Sequence, residues 1–217
     1  MSFRVFRGPS PPRFPGREDF SPLSSISPLS WFLLLLLVSV GRAEDVGGVR
    51  AWLEPKSTHA AVALPIAGAK RTEIAFGIFG ADGPELFGKG EDPADAALLA
   101  KARDRATVDL VSLTLRYARD RQKVIQYAEL TSPKPIVASA VLAPKFRGLF
   151  RDTLGETVLV VVPNRYTAYV FPALASRYQE YYPMVFAAFR ETAYPVSVEV
   201  LEISAAGIRA VGVYERP

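Results

Sequence analysis

Whatever chemistry this chain performs must be done without thiols and with a single imidazole. His59 is the only histidine and there is no cysteine. That excludes a disulfide framework, a cysteine nucleophile and a thiolate metal centre, and it leaves a histidine-assisted nucleophile only His59 to work with. His59 stands at the edge of a short apolar run with no acidic neighbour in sequence, which suits a structural or exposed role. An all-oxygen calcium loop needs acidic residues at alternating positions ahead of a glycine, and no D-x-D-x-D-G spacing occurs. The residues therefore point to no metal and no cofactor.

Three further constellations resemble chemistry and have plainer readings beside them. Gly83-Pro84-Glu85-Leu86-Phe87-Gly88-Lys89 matches the start of a phosphate-binding loop, but Gly90 stands where a magnesium-binding Ser or Thr is required, so an ordinary glycine-rich loop is expected. Glu180, Glu191, Glu199 and Glu202 are the carboxylates from which an acid–base pair would be drawn, since glycoside hydrolysis needs two within about 5–10 Å. Their spacing singles out no pair. Arg103, Arg105, Arg116, Arg119, Arg121 and Lys123 surround the middle of the chain as a patch for anionic lipid or polysaccharide, but Asp104, Asp109 and Asp120 dilute it.

The most distinctive local features are Pro163-Asn164-Arg165-Tyr166 and Arg177-Tyr178-Gln179-Glu180-Tyr181-Tyr182. Asn164 is the only asparagine, placed where a turn would tolerate a left-handed backbone. One reading is a turn backed by a tyrosine-rich interior face. The other is a ligand groove lined by Asn164, Arg165, Tyr166, Tyr169, Arg177 and Tyr181, whose rings and guanidinium groups suit sugar or anion contacts.

The elements that must position these residues follow from hydrophobic period and turn chemistry. Val46 to Ser57 lacks apolar periodicity and reads as a lead-in with Trp52 tucked against the domain. Ala60–Ile66 and Glu73–Phe79 form a hairpin about Gly68-Ala69-Lys70-Arg71. Asp92 as N-cap and Pro93 at the first helical position predict a short helix over Ala94–Lys101. From Val111 the alternation Val111, Leu113, Leu115, Tyr117 predicts a half-buried strand returning through Lys123–Leu130. Pro144 then opens a helical spacing of Phe146, Leu149, Phe150 and Leu154, ended by Gly155. Thr157–Val162 is an aliphatic run expected to be buried on both faces, paired with Arg165–Phe171. A helix is expected over Ala173–Ala193, kinked or split at Pro183, before a closing hairpin Val196–Ile203 and Ile208–Tyr214. The expected fold is one α+β domain over residues 46–217, antiparallel hairpins packed against two or three helices.

Ahead of that domain, Arg4, Arg7, Arg13 and Arg17 precede the apolar run Trp31–Val40 and then Gly41-Arg42-Ala43. Positive residues, a hydrophobic stretch and small residues before a cut after Ala43 make residues 1–43 an expected export leader. The run is shorter than the ~20 apolar residues a membrane span needs, so cleavage is expected, with an uncleaved anchor or a misplaced start codon as alternatives that its long front portion would fit. The leader holds five arginines against Glu18 and Asp19, so three of the four net positive charges leave with it. The remaining domain is close to neutral, and nucleic acid is not an expected partner. With 49% hydrophobic and 22% charged residues, the chain has the composition of a folded globular protein.

The succession Leu154-Gly155-Glu156, Val160-Val161-Val162-Pro163-Asn164-Arg165, a tyrosine-containing helix, then Ala193-Tyr194-Pro195-Val196-Ser197 resembles the end of the uncharacterised bacterial YtpQ-like family. The resemblance spans about residues 146–203, with Tyr166 standing where an acidic residue commonly follows the arginine. It implies a strand, a helix and a hairpin in that order, and no activity, substrate or catalytic residue. Function is thus expected to be that of an exported, periplasmic or extracellular, non-enzymatic protein binding an envelope component or a protein partner. It would touch the membrane only through an uncleaved leader. The alternative is a carboxylate-dependent hydrolase acting on envelope or extracellular polymers.

Overall fold

The computed structural model describes residues 48–217, apart from residues 81, 82, 89, 91, 93, 176, 177, 216 and 217. The expected leader, Lys89, Pro93 and Arg177 therefore lie outside the described residues. The fold is α+β, as expected: two antiparallel sheets and three helices in one domain, with hairpins supplying most of the strands.

The first strand is where the sequence had suggested only a lead-in. Arg50–Pro55 forms β1, buried along almost its whole length. Its charged residues disguise it, because Arg50 and Glu54 are buried only by virtue of ion partners far away in sequence, Asp109 and Arg165. A single 3-10 turn, Lys56–Thr58, follows, ending at His59 in the left-handed region with φ 55°. β2 (Ala63–Pro65) and β3 (Thr72–Gly80) form the expected hairpin. β3 is central: β1 pairs along one edge, while β2 and then β4 (Gly83–Leu86) share the other. The Gly83 stretch is thus in part an edge strand rather than a loop. At Gly77 a Cβ would sit 2.1 Å from the Glu85 carbonyl oxygen and 2.6 Å from Trp52 Cη2, so only glycine lets β4 and the indole close on β3.

Helix α1 (Ala96–Val111) begins later and runs longer than its sequence suggested. Asp95 is the N-cap, its carboxylate accepting from the Ala97 amide at 2.7 Å, while Asp92 makes its own turn to the Ala94 amide one step earlier. Leu98, Ala102, Ala106, Asp109 and Leu110 share the buried face at helical spacing, and the dense Arg/Asp content of the outer face had hidden that period. Strand β5 accordingly starts only at Thr114 and runs to Arg119, antiparallel to β6 (Ile125–Thr131). The Phe146–Leu154 region is not one helix: a short α2 (Val137–Ala140) precedes a 3-10 turn, Arg147–Leu149, and Phe146, Phe150 and Leu154 are buried from successive turns.

β7 (Val158–Asn164) and β8 (Thr167–Pro172) pair as expected, the turn lying at Arg165-Tyr166, two residues later than Pro163-Asn164. The aliphatic run has the predicted cause. Val158, Val160 and Val162 face the main core with Trp52, Leu130, Phe146 and Phe150, while Leu159 and Val161 face a second cluster with Tyr169, Phe171 and Val185. That second cluster is roofed by a 3-10 turn, Tyr178–Tyr181, and by α3 (Tyr182–Arg190), with Pro183 in its first turn, where no backbone N–H is needed. The expected Ala173–Ala193 helix is thus halved by the proline. β9 (Glu199–Ser204) and β10 (Gly207–Val213) close the second sheet, whose order is β10-β9-β7-β8-β6-β5.

Candidate functional site

The residues singled out from sequence divide between two places. Asn164 and Arg165, both buried, occupy the β7–β8 turn. Asn164 is not left-handed; among the described residues only His59 and Lys123 are non-glycine residues with positive φ. Its amide instead uses both ends, Oδ1 accepting from the Tyr166 amide at 2.8 Å and Nδ2 donating to the Ala188 carbonyl of α3 at 2.7 Å. Arg165 reaches inward to Glu54, its guanidinium 5.5 Å from the Trp52 ring and 5.6 Å from that of Tyr194. Tyr166 is half-buried, with its ring 6.2 Å from Tyr194.

Tyr169 and Tyr181 stand on the other face of the second sheet, both against Tyr127, at 6.0 and 5.1 Å between ring centroids. Burial, then the Glu129 charge and Tyr127, push the Tyr169 phenol up to about 12. Burial and the same Glu129 charge also raise Tyr127. These phenols are held protonated and neutral at ordinary pH. The structure therefore brings together Asn164, Arg165 and Tyr166 at the turn, and separately Tyr169 with Tyr181; Asn164 reaches the α3 side on which those tyrosines pack, while Arg165 reaches the opposite side to Glu54.

An open cleft lies elsewhere, beside α3. Its volume is about 480 Å³, and it is lined by Lys56, Lys70, Arg71, Phe186 and Phe189, with Pro55, Ser57 and the Pro195–Val198 segment completing the wall. Such a size falls within the ~300–1,000 Å³ of ordinary small-molecule sites. Each part has a local reason to be there. Lys70 and Arg71 sit on the β2–β3 turn, and that turn is tied down from three sides. Glu199 Oε1 accepts from the Lys70 and Arg71 amides at 2.7 and 3.0 Å. Lys56 Nζ donates to the Ala69 carbonyl at 2.7 Å. The Ala210 amide donates to the Ala67 carbonyl at 2.8 Å.

Because Glu199 takes main-chain donors, the Lys70 and Arg71 side chains have no ion pair among the described residues, and both residues are exposed. Phe186 and Phe189 project from α3 at i and i+3, their rings 6.2 Å apart, and Tyr182 stacks on Phe186 at 5.2 Å. The opposite wall is fixed to β7 by the Val196 amide donating to the Pro163 carbonyl and the Ser197 amide to that of Val162. The cleft is thus cationic at one rim and apolar along its floor, and no carboxylate lines it.

A second hollow of about 410 Å³ is lined by Lys145, Arg147, Leu149, Arg151 and Glu156. Its cations are largely spent, since Glu156 binds Arg147 at 2.7 Å and Arg151 at 2.8 Å. Neither hollow brings two carboxylates together. Of Glu180, Glu191, Glu199 and Glu202, Glu202 is paired with Arg209, whose hydrogen bond lowers its pKa, and Glu199 ties down the β2–β3 turn. No group of three His, Asp or Glu converges as a metal site among the described residues. None of the described helices is long and apolar enough to cross a membrane.

Lys56, Lys70, Arg71, Phe186 and Phe189 were not legible as a site. Lys70-Arg71 reads as a solvated turn and the phenylalanines as a helix interior face, and their meeting depends on ties between segments more than a hundred residues apart, such as the Glu199 carboxylate on the Lys70 and Arg71 amides. No protein-family model, curated protein or solved structure matches the chain.

Proposed function

We propose that this chain is an exported, non-enzymatic protein of the cell envelope that binds an anionic component in the cleft between the β2–β3 turn and α3. The observation that carries the reading is the lining itself: Lys56, Lys70 and Arg71 at one rim with no carboxylate among the lining residues, over an apolar floor. A surface that exposes unpaired cations beside half-buried phenylalanines is complementary to an anion and offers no acid–base pair for turnover. The expected leader and the absence of cysteine fit a protein that folds after export by core burial alone.

The test is a pull-down from envelope extract with the full chain and with a Lys70→Glu/Arg71→Glu chain, beside mass spectrometry of the N-terminus in fractionated native cells. The expected result is an anionic component retained by the parent chain, weakened by salt and lost on charge reversal, with a mature N-terminus near Glu44 in the exported fraction. A component held equally by both chains, or an intact N-terminus in soluble cytoplasm, refutes the proposal.

A further inference from the structure

Resting on the reading that this cleft is the binding site, we infer that its ligand is an amphiphile with one compact anionic head, a carboxylate or phosphate monoester, and a single apolar body of alkyl or aryl character. The cleft is two-ended in its chemistry. Its cations are gathered on the β2–β3 turn and the adjoining Lys56, and its rings on α3.

A polyanion would need cations repeated along a groove, and here the wall leading away from Lys70 and Arg71 is Phe186, Phe189, Val196 and Val198. A neutral lipid would leave two exposed cations unused at the rim. A small inorganic anion would leave the phenylalanine floor in water. Only a molecule carrying charge at one end and apolar surface along the rest satisfies both.

The head site is also preorganised. The turn carrying Lys70 and Arg71 is already held by Glu199, by Lys56 and by the Ala67–Ala210 pairing, so little main-chain ordering remains for the ligand to impose. The floor is equally fixed: Val185 of α3 is fully buried beneath it, and the Asn164 amide holds the Ala188 carbonyl at 2.7 Å. Arg190 lies with its guanidinium 5.9 Å from the Phe186 ring, adding positive potential on the helix side.

The test uses the full chain and four probes in equilibrium titrations: dodecyl phosphate below its micelle concentration, dodecanol, inorganic phosphate, and phosphatidylglycerol vesicles. Dodecyl phosphate is expected to bind at least about tenfold more tightly than either phosphate or dodecanol, which is about 1.4 kcal/mol. Lys70→Glu/Arg71→Glu, both exposed, should remove that advantage, and Phe189→Ser should lower affinity for dodecyl phosphate while leaving the weak phosphate affinity unchanged. Phosphate binding as well as dodecyl phosphate, or dodecanol doing so, overturns the amphiphile assignment. So does vesicle binding without monomer binding, which would make the rim a membrane-contact surface. If no probe binds while the pull-down still shows a component lost on charge reversal, the amphiphile inference fails and the binding reading stands; if both are negative, both fall.

Discussion

Breaking the buried Glu54–Arg165 pair should cost far more than its two residues suggest, and the hydrogen bonds around each partner decide how the cost divides. Glu54 is 3% exposed and Arg165 7% exposed. The Glu54 carboxylate accepts from Trp52 Nε1 at 2.6 Å, from Thr58 Oγ1 at 2.8 Å and from Arg165 Nη2. Arg165 has less: among the described residues its Nε and Nη1 have no hydrogen-bond partner and Glu54 is the one carboxylate paired with its buried guanidinium.

In Glu54→Gln the amide oxygen can keep the Trp52 and Arg165 donors while the threonine hydroxyl turns to accept. The hydrogen bonds survive and only the charge is lost. Removing one partner of a buried pair costs about 3–5 kcal/mol, and retained hydrogen bonds place this variant near 3 kcal/mol. Arg165→Met leaves a carboxylate that still has two neutral donors, so roughly 2–3 kcal/mol is expected. The double variant buries no charge at that site, and its loss should stay near 2–3 kcal/mol instead of the ~5–6 kcal/mol sum, a coupling of about 3 kcal/mol. Urea denaturation of all four chains, followed by circular dichroism, measures the cycle. Single losses that simply add to within about 0.5 kcal/mol would refute the argument, because they would mean that Arg165 finds its compensation elsewhere.

Two further outcomes follow from other parts of the fold. Gly77→Ala should lose about 2 kcal/mol or more in the same urea assay, because its Cβ meets the Glu85 carbonyl at 2.1 Å, whereas Gly88→Ala, with nothing within 4 Å, should stay within about 0.5 kcal/mol. Alkaline pH should unfold the protein through its neutral phenols. With the Tyr169 pKa raised from 10.0 to about 12, the folded state holds a proton that the unfolded chain releases, so this contribution is full below pH 10 and lost as pH rises to about 12. Tyr127 and Tyr214, both raised chiefly by burial, act with the same sign. Tyr169→Phe should therefore flatten the fall of stability with pH over that window, and an unchanged slope would count against the burial of its hydroxyl.

The hairpins were readable because they carry their own instructions. Gly68 and Gly207 take the positive φ their turns need, and the aliphatic, β-branched run of β7 is long enough to show that it is buried. β1 was not readable, since Arg50 and Glu54 announce solvent while Asp109 and Arg165 supply their partners from 59 and 111 residues away. Helix α1 was cut short for a related reason: Asp109 lies on its buried face, paired with Arg50 and Arg105, so a true core position looked polar. Of the four apolar residues at helical spacing, Phe146, Phe150 and Leu154 are buried and Leu149 is exposed, because such a spacing fits short successive turns as well as one helix. The candidate site failed to show for the deepest reason, because none of its segments is unusual alone.

Asn164 and Arg165 connect that site to the rest of the molecule. The single asparagine can serve where aspartate or serine could not, because one amide end closes the β7–β8 turn and the other grips the Ala188 carbonyl near the end of α3. The next residue extends in the opposite sense to Glu54, one residue before Pro55 and two before Lys56. The Arg165 amide also donates to the Tyr194 carbonyl, directly ahead of the Pro195–Val198 wall. Three of the four segments that line the cleft are thus anchored to two adjacent residues: the helix with Phe186 and Phe189, the end of β1 with Lys56, and the segment leading into β9; the fourth, the β2–β3 turn, is held by Glu199, Lys56 and Ala210. A buried turn can therefore govern an exposed cleft without touching anything that enters it, and an unusual Pro-Asn-Arg in the sequence marks where the cleft is built from.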